Sequence, residues 1–137
     1  MLNEFMLRLE IVTPEKRVVD ETVDAVTVPT TTGEVGILPN HAPLISTIKP
    51  GILSFTRGGA AERLVISGGF VEVSADKVSI LADFAETADE IDFEAARAER
   101  ESTEKVLGAW SGTESDFEAE KERLERAQAR LQLSAGR

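Results

Sequence analysis

The chain has 137 residues but contains no cysteine, no tyrosine and a single histidine, His41. Without cysteine, disulfides, thiolate metal ligands and cysteine nucleophiles are excluded. His41 has no second histidine or cysteine to join it, so the usual ligand set of a metal centre is missing. The opening residues lack the basic stretch of a secretory signal, and we expect no such signal here.

Basic residues are scarce as well. The chain has 15 Lys and Arg against 25 Asp and Glu, which gives a formal net charge of -10. Nucleic acids and anionic membrane surfaces attract clustered positive charge, so the composition argues against both as direct partners. Apolar runs are only a few residues long, whereas a membrane-spanning helix needs roughly 20. We therefore expect a soluble protein with no metal or cofactor.

Short stretches of alternating polarity dominate residues 1–88. In residues 5–13, Leu7, Leu9 and Ile11 share one face, which is the period of a half-buried strand. Further strands are predicted at residues 17–20, 22–28, 52–56, 63–66, 70–73 and 78–82. Strands this short, separated by frequent turn signals, predict an all-β sandwich or flattened barrel.

The central segment, residues 29–51, holds most of the prolines and His41. Turn-forming residues alternate there with short apolar pieces, which favours a loop folded onto the sheet over a strand. His41 is open to three interpretations: a catalytic group, a metal ligand or part of a shaped contact surface. We favour a structural or docking loop.

The glycine pair Gly68-Gly69 stands at the start of a predicted strand. One interpretation is a phosphate cradle, but the helix with Lys-Ser or Lys-Thr that a P-loop requires does not follow. The other interpretation is a bulge or a close approach of two backbones, and we favour it.

Residues 89–137 have a different composition, without proline and rich in Ala, Glu and Arg. Asp92 is placed as an N-cap for a helix over residues 93–107. Ser115 and Glu118 form a capping-box pattern for a second helix that runs to about residue 133. Together they predict a C-terminal α-helical hairpin.

The apolar stripes of this hairpin are narrow. The first helix offers Ala95, Ala98 and Ser102 as its expected inner face; the second offers Phe117, Leu124, Ala127 and Leu131. Such stripes bury little apolar area, at roughly 25 cal/mol per Å². We therefore expect a hairpin that is detachable or depends on a partner.

Charge is divided unevenly along the hairpin. Residues 89–120 carry 11 acidic and 3 basic side chains, whereas residues 121–137 carry 2 acidic and 5 basic ones. The basic residues are Lys121, Arg123, Arg126, Arg130 and Arg137. They are explained either as a solvated face that complements the helix dipole or as a basic tip that seeks an acidic partner.

These features together resemble a known family. The matching residues are the run from Gly33 to Leu44 (G-E-V-G-I-L-P-N-H-A-P-L), Lys49-Pro50-Gly51, the run from Gly68 to Val73, and Ile91-Asp92. The chain resembles, over essentially its whole length, the epsilon subunit of the F-type rotary ATP synthase. The Asn-His-Ala-Pro run and the residues after Ile91-Asp92 are most similar to the cyanobacterial and chloroplast branch.

The resemblance implies a non-catalytic rotor subunit that couples the proton-driven c-ring to the catalytic head, peripheral to the cytoplasmic face of an energy-transducing membrane, either plasma membrane or thylakoid. It implies that residues 1–88 bind the gamma subunit and the polar loops of the c-ring. The contact residues would be Glu34, Asn40, His41 and Ala42. Residues 89–137 would inhibit ATP hydrolysis by extending along gamma towards the alpha and beta subunits. An acidic segment of beta would then face Lys121, Arg123, Arg126 and Arg130.

The same resemblance contains one departure. Some bacterial relatives bind ATP through an Ile-Asp-x-x-Arg-Ala motif, and here Ala95 occupies the position of its arginine. Arg97 follows two residues later, which is about 200° around a helix, so it cannot replace that arginine. We therefore predict no nucleotide site.

Two other hypotheses compete with the rotor subunit. A small hydrolase would use His41 with Glu34 or Asp24 as acid–base groups, although no nucleophile elbow or metal cluster accompanies them. A generic adaptor would use the sandwich as a scaffold and the hairpin to bind a partner outside the synthase.

Overall fold

The computed structural model describes residues 6–135, which form ten strands, one short 3-10 helix and two α-helices. The strands are β1 (Leu7–Val12), β2 (Arg17–Val23), β3 (Ala25–Thr30), β4 (Gly33–Ile37), β5 (Leu44–Thr47), β6 (Gly51–Arg57), β7 (Ala60–Ser67), β8 (Phe70–Ser74), β9 (Lys77–Leu81) and β10 (Phe84–Thr87). The 3-10 helix is Ala88–Glu90, and the α-helices are α1 (Phe93–Gly108) and α2 (Glu114–Ala135). The predicted start of the first strand at Phe5 lies outside the described residues.

The strands form two five-stranded sheets, ordered β2-β1-β9-β8-β5 and β10-β7-β6-β3-β4. All neighbours are antiparallel except β1 and β9, which are parallel. The alternation seen in the sequence places Leu7, Leu9 and Ile11 in the core between the sheets. The predicted β-sandwich is confirmed.

The central segment is not a plain loop, and this part of the prediction was wrong. It contains β4 and β5, each of which is one of the two edge strands of its sheet. Proline is tolerated at positions where a strand needs no ladder donor. Pro29 lies within β3, but the pairing of β3 with β6 ends at Thr27, so its missing N–H removes no bond to β6.

The strand prediction was also wrong at the change of sheet near Asp24 and after the last predicted strand. Residues 22–28 are not one strand: β2 ends at Val23 and β3 begins at Ala25, in the other sheet. The buried residues here are therefore Val23, Val26 and Val28, and the alternation of buried and exposed positions breaks at Asp24. A tenth strand, β10, was missed; it pairs with β7 after the predicted last strand.

Gly68 and Gly69 lie between β7 and β8 with φ angles of 75° and 81°. L-residues with side chains rarely adopt this left-handed conformation. A Cβ atom on Gly69 would also collide with the carbonyl oxygen of Leu81 in β9. The predicted close backbone approach is confirmed.

The helices begin with side-chain caps. Asp92 accepts a hydrogen bond from the Ala95 N–H at 3.0 Å, as predicted for the N-cap of α1. The predicted capping box of α2 was wrong, because Thr113 caps that helix: its Oγ1 accepts from the Asp116 N–H at 3.1 Å. Thr113 precedes Ser115 by two residues and offers the same hydroxyl group, so sequence alone did not separate them.

The predicted inner face of α1 was also wrong. Ala95, Ala98 and Ser102 are exposed, and Ala96 and Thr103 are buried instead. Positions 96 and 103 are seven residues apart, two helical turns, and so share one face. The Thr103 hydroxyl donates to the Glu99 carbonyl oxygen at 2.9 Å, which satisfies it inside the interface.

The hairpin packs against the sheet β10-β7-β6-β3-β4 through one face of α2. Ala129 and Leu133 are buried against Val65 of β7 and Ile91. This small cluster is separate from the sandwich core. None of the helices within residues 6–135 is long and apolar enough to cross a membrane.

Candidate contact surfaces

The loop after β4 has a defined shape at the surface. Asn40 has a φ of 68°, and its N–H donates to Oδ1 of Asp76 at 2.7 Å. The His41 N–H donates to the Leu38 carbonyl at 3.1 Å, and its ring Nδ1 lies 2.7 Å from the Ala42 carbonyl oxygen. Backbone and imidazole are thus held in place, while Asn40 and Ala42 remain exposed.

Asp76 belongs to the tight turn between β8 and β9. Ala75 and Asp76 both have left-handed φ angles, 51° and 60°. The Asp76 carbonyl accepts from the Arg8 N–H at 2.9 Å, while its carboxylate accepts from Asn40. The turn therefore ties β1 to the loop. Sequence analysis missed this role, because only the turn itself left a signal there.

Glu34 lies apart from this loop. It sits on β4 opposite Pro29, towards the other end of the strand from the residues that lead to Asn40. Its side chain lines a cleft of about 390 Å³ between the sandwich and α2. Lys49 and Glu125 line the same cleft, with Nζ and Oε2 3.9 Å apart. The structure thus brings Asn40 to Ala42 together and separates Glu34 from them.

The acids that the hydrolase hypothesis needs are engaged elsewhere. Asp24 accepts a hydrogen bond from the Gly58 N–H at 2.9 Å and so shapes the turn between β6 and β7. Glu34 lines the cleft beside α2. Across residues 6–135, no hydrogen bond or ion pair joins His41 to either acid. Among the described residues, the geometry therefore does not form the acid–base pair of His41 with Glu34 or Asp24 that this hypothesis requires.

Arg130, one of the basic residues predicted to form a tip, is largely enclosed. Its side chain is 15% exposed and lies where β10, α1 and α2 meet. Nε donates to Glu86 at 2.7 Å, and Nη1 donates to Glu99 at 3.4 Å. Its guanidinium carbon lies 4.7 Å from the centroid of the Phe84 ring, within cation–π distance.

The other basic residues extend along α2 rather than clustering at its end. Arg126 lies over the same Phe84 ring, 5.4 Å from its centroid. Arg123 donates to Glu99 at 3.2 Å. Positions 123, 126 and 130 are three and four residues apart and share one face, whereas Lys121 is about 200° away and exposed. We call Arg123, Arg126 and Arg130 the basic row.

The counter-groups of the basic row were missed by sequence analysis. Phe84 and Glu86 lie on β10, the strand that was not predicted, and Glu99 lies beside the true inner face of α1. Glu99 could have been found from the sequence by locating the helix face that Ala96 and Thr103 share, because Glu99 lies beside that face. No pattern in the sequence pointed to the other two.

The connection between sandwich and hairpin contains a shifted carboxyl group. The Thr87 N–H donates to Glu90 at 3.0 Å, and Lys16 Nζ lies 3.0 Å from its other oxygen. The Thr87 backbone hydrogen bond, followed by the bond from Lys16, lowers the pKa of Glu90 from 4.5 to about 2. This carboxylate fastens the start of the hairpin to the turn between β1 and β2.

The residues near the altered nucleotide motif have local partners. Asp92 caps α1 through the Ala95 N–H, and Arg97 Nη1 lies 2.6 Å from Glu94 Oε1 on the exposed side. Ala96 faces the hairpin interior, so Arg97 and Ala96 point to different sides. Absence of a nucleotide site stays a prediction.

Residues 6–88 match the family model of the ATP synthase Delta/Epsilon chain, beta-sandwich domain. This match covers more than half of the chain. The chain belongs to the ATP synthase epsilon-chain family.

Relatives in this family cover nearly the whole chain. An ATP synthase epsilon chain from Geotalea uraniireducens is 40% identical over 129 residues, 94% of either chain. One from Desulforamulus reducens is 43% identical over 127 residues, 93% of this chain and 96% of the relative. One from Herpetosiphon aurantiacus is 44% identical over 128 residues, 93% of either chain.

Solved structures agree with the fold. A chain of the Euglena gracilis mitochondrial ATP synthase (OSCP/F1/c-ring) has a TM-score of 0.80 at 28% identity, over 95% of this chain and 81% of that one. A chain from the central stalk and c-ring of the Tetrahymena thermophila enzyme has a TM-score of 0.64 at 19% identity, which shows the fold alone. The chain described here is accordingly a non-catalytic central-stalk subunit of an F-type ATP synthase.

Proposed function

We propose that residues 1–88 dock on the gamma subunit and the c-ring, and that residues 89–137 form a regulatory hairpin that inhibits ATP hydrolysis. The division is supported by packing: in the part of the chain that the structure describes, the buried residues of the sandwich core lie at positions 7–82 and none belongs to α1 or α2. A unit whose core is complete without the helices is suited to bind its partners while the hairpin moves.

The loop of Asn40, His41 and Ala42 is our proposed contact with the polar loops of the c-ring. This proposal is supported by the exposed surface of the loop, whose shape is fixed by hydrogen bonds to Asp76 and from the His41 ring. Leu38, at 62% exposure, adds an apolar group beside it. We assign Glu34 to the same partner as a carboxylate for basic ring-loop residues, at a separate point of contact.

For gamma, an exposed apolar pair on the outer face of the sheet β2-β1-β9-β8-β5 is the best candidate. Phe70 and Leu81 are cross-strand neighbours, 45% and 49% exposed. Val12 is paired with Leu81 on the next strand and extends the row. Exposed apolar groups in a row across a sheet are typical of a protein contact.

Inhibition is assigned to the basic row together with Lys121. In the extended hairpin these residues would face an acidic segment of the beta subunit, with alpha nearby. The observation that carries this proposal is that the row already binds two carboxylates in the folded state. Guanidinium groups placed on one helix face bind an acidic segment by the same charge-assisted hydrogen bonds.

We place the subunit peripherally on the cytoplasmic face of an energy-transducing membrane, plasma membrane or thylakoid. The cyanobacterial and chloroplast branch is supported only by the Asn-His-Ala-Pro run and the residues after Ile91-Asp92, and the relatives described above come from other bacteria.

The test is ATP hydrolysis by an epsilon-depleted catalytic head with gamma, titrated with this protein. Full-length chain is compared with residues 1–88 and with the full-length triple variant Arg123→Gln, Arg126→Gln, Arg130→Gln. A matched control replaces basic residues elsewhere: Arg63→Gln, Lys77→Gln and Lys105→Gln. Binding is followed separately from inhibition by co-sedimentation with the complex.

We expect saturable inhibition by the full-length chain and the control, and binding without inhibition by residues 1–88 and the triple variant. Binding by all four proteins with no inhibition by any would remove the regulatory role and keep the coupling role. If none of them bound the complex, the gamma assignment would fail, and a partner outside the synthase would have to be sought.

A further inference from the structure

Each acidic or aromatic group that faces the basic row contacts at least one of its arginines. The two oxygens of Glu99 go to different arginines: Oε1 lies 3.2 Å from Arg123 Nε, and Oε2 lies 3.4 Å from Arg130 Nη1. Phe84 has two guanidinium groups over its ring, those of Arg126 and Arg130. Every member of the basic row is therefore bound within the chain.

The three counter-groups come from two elements that α2 must leave in order to extend. Phe84 and Glu86 belong to β10 of the sandwich, and Glu99 belongs to α1. Arg130 alone contacts all three of them. A single movement of α2 away from β10 and α1 would break these contacts together.

We infer that Phe84, Glu86 and Glu99 form an internal acidic latch, which binds the basic row in the folded hairpin and so competes with an acidic partner. The inference rests on the proposed function, because it names what regulates the same basic residues. Binding in cis and in trans is mutually exclusive, since Arg130 is 15% exposed and already donates to two carboxylates.

Competition of this kind sets how readily inhibition begins. A partner shifts a two-state equilibrium only by the difference in its affinity for the two states. Binding of an acidic segment to the extended form alone is opposed by the contacts between the latch and the basic row that hold the hairpin folded. Weakening the latch should therefore raise the apparent affinity for the partner without any new contact.

The lack of cysteine provides a clean probe of the hairpin in the full-length protein. Ala129 lies on the face of α2 that is buried against Val65 and Ile91, so Ala129→Cys introduces a single thiol that a maleimide reaches only after α2 lifts. The test variant adds Glu86→Gln and Glu99→Gln. The control adds Glu101→Gln and Glu118→Gln, which change the net charge equally on exposed positions.

We expect the labelling rate to rise at least about tenfold in the test variant and to stay unchanged in the control, because charge-assisted hydrogen bonds are the stronger ones. Raising the salt from low to high concentration should accelerate labelling of the parent and have less effect on the test variant. Equal rates in parent and test variant, or an equal rise in the control, would overturn the latch.

A second arm measures the competition directly. Fluorescent polyglutamate peptide is the probe for an acidic partner, and it should bind the test variant several-fold more tightly than the parent. Circular dichroism melting shows whether the sandwich stays folded; if the double substitution unfolds it, Phe84→Leu takes its place in both arms. Unchanged peptide affinity together with faster labelling would overturn the competition.

The hydrolysis assay separates this inference from the proposed function. A test variant that inhibits at lower concentration than the parent agrees with both. Faster labelling and tighter peptide binding without inhibition by either protein would refute the inhibitory function and leave the latch standing. Inhibition by the parent with no change in labelling in the test variant would refute the latch and leave the inhibitory function standing.

Discussion

The sandwich and the hairpin are held by different means. Among residues 6–135, seventeen buried residues form the core between the two sheets, whereas four buried residues, Val65, Ile91, Ala129 and Leu133, join the hairpin to the sandwich. Ion pairs and a cation–π contact around Arg130 supplement the second cluster. Burial of apolar area scales with the number of groups removed from water, so the two regions differ several-fold in that stabilisation.

Because of this difference, the stabilities of the two regions should respond differently to salt. Apolar burial is nearly indifferent to moderate salt, while partly exposed ion pairs are screened by it. Arg123 and Glu99, half and one-quarter exposed, are within reach of such screening. Conditions that leave the sandwich intact can therefore release α2, and substitutions should separate the two regions in the same way.

The largest effect should come from the sandwich core. Leu9→Ala removes a fully buried side chain between the sheets and leaves a cavity. We expect the free energy of unfolding to fall by about 3 kcal/mol, measured by urea denaturation followed by circular dichroism. Leu38→Ala, at an exposed apolar position, is the control and should change stability little. A loss below about 1 kcal/mol for Leu9→Ala would show that the core repacks around the gap.

A smaller and more local effect is expected at the hairpin. Leu133→Ala shortens the main apolar contact of α2 with the sandwich, and should weaken hairpin docking by about 2 kcal/mol. Amide hydrogen exchange should then accelerate in α2 while the strands keep their protection. Val106→Ala, on the exposed side of α1, should leave both unchanged. Equal acceleration in strands and helix would mean that the two regions unfold as one.

The sequence predicted the architecture because the buried residues of β1, β8 and β9 alternate cleanly. It failed where a strand borders the sheet or switches sheets. Asp24 interrupts the alternation at a sheet change, and β4 and β10 are edge strands with only one paired neighbour. Edge strands bury fewer side chains, so their periodicity is weak.

The candidate site was predicted in part for a related reason. The loop of Asn40 to Ala42 is contiguous, and its residues stand together in the sequence. The latch and the basic row bring together residues of β10, α1 and α2, so contacting residues are up to 46 positions apart, from Phe84 to Arg130. Local spacing carries no information about such contacts, and the wrong inner face of α1 concealed Glu99 as well.

A further local effect concerns the helix that adjoins the connection. Asp92→Ala removes the carboxylate that accepts from the Ala95 N–H and stabilises the start of α1. We expect a loss of about 1 kcal/mol, confined to the hairpin. Hydrogen exchange of the first turn of α1 measures it. Asp89→Ala, an acidic residue in the preceding 3-10 helix, is the matched control and should leave that exchange unchanged.

The smallest effect should appear only in acid, at the carboxylate of Glu90. Its pKa is lowered from 4.5 to about 2 in the folded protein, first by the Thr87 N–H and then by Lys16. The ionised form is thus favoured on folding, so its stabilisation is complete above pH 4.5 and is lost as the pH falls towards 2. Glu90 is exposed, which limits the size of the effect. In Glu90→Gln the difference in stability from the parent should shrink over this interval; a constant difference would mean that the connection between sandwich and hairpin does not depend on this charge.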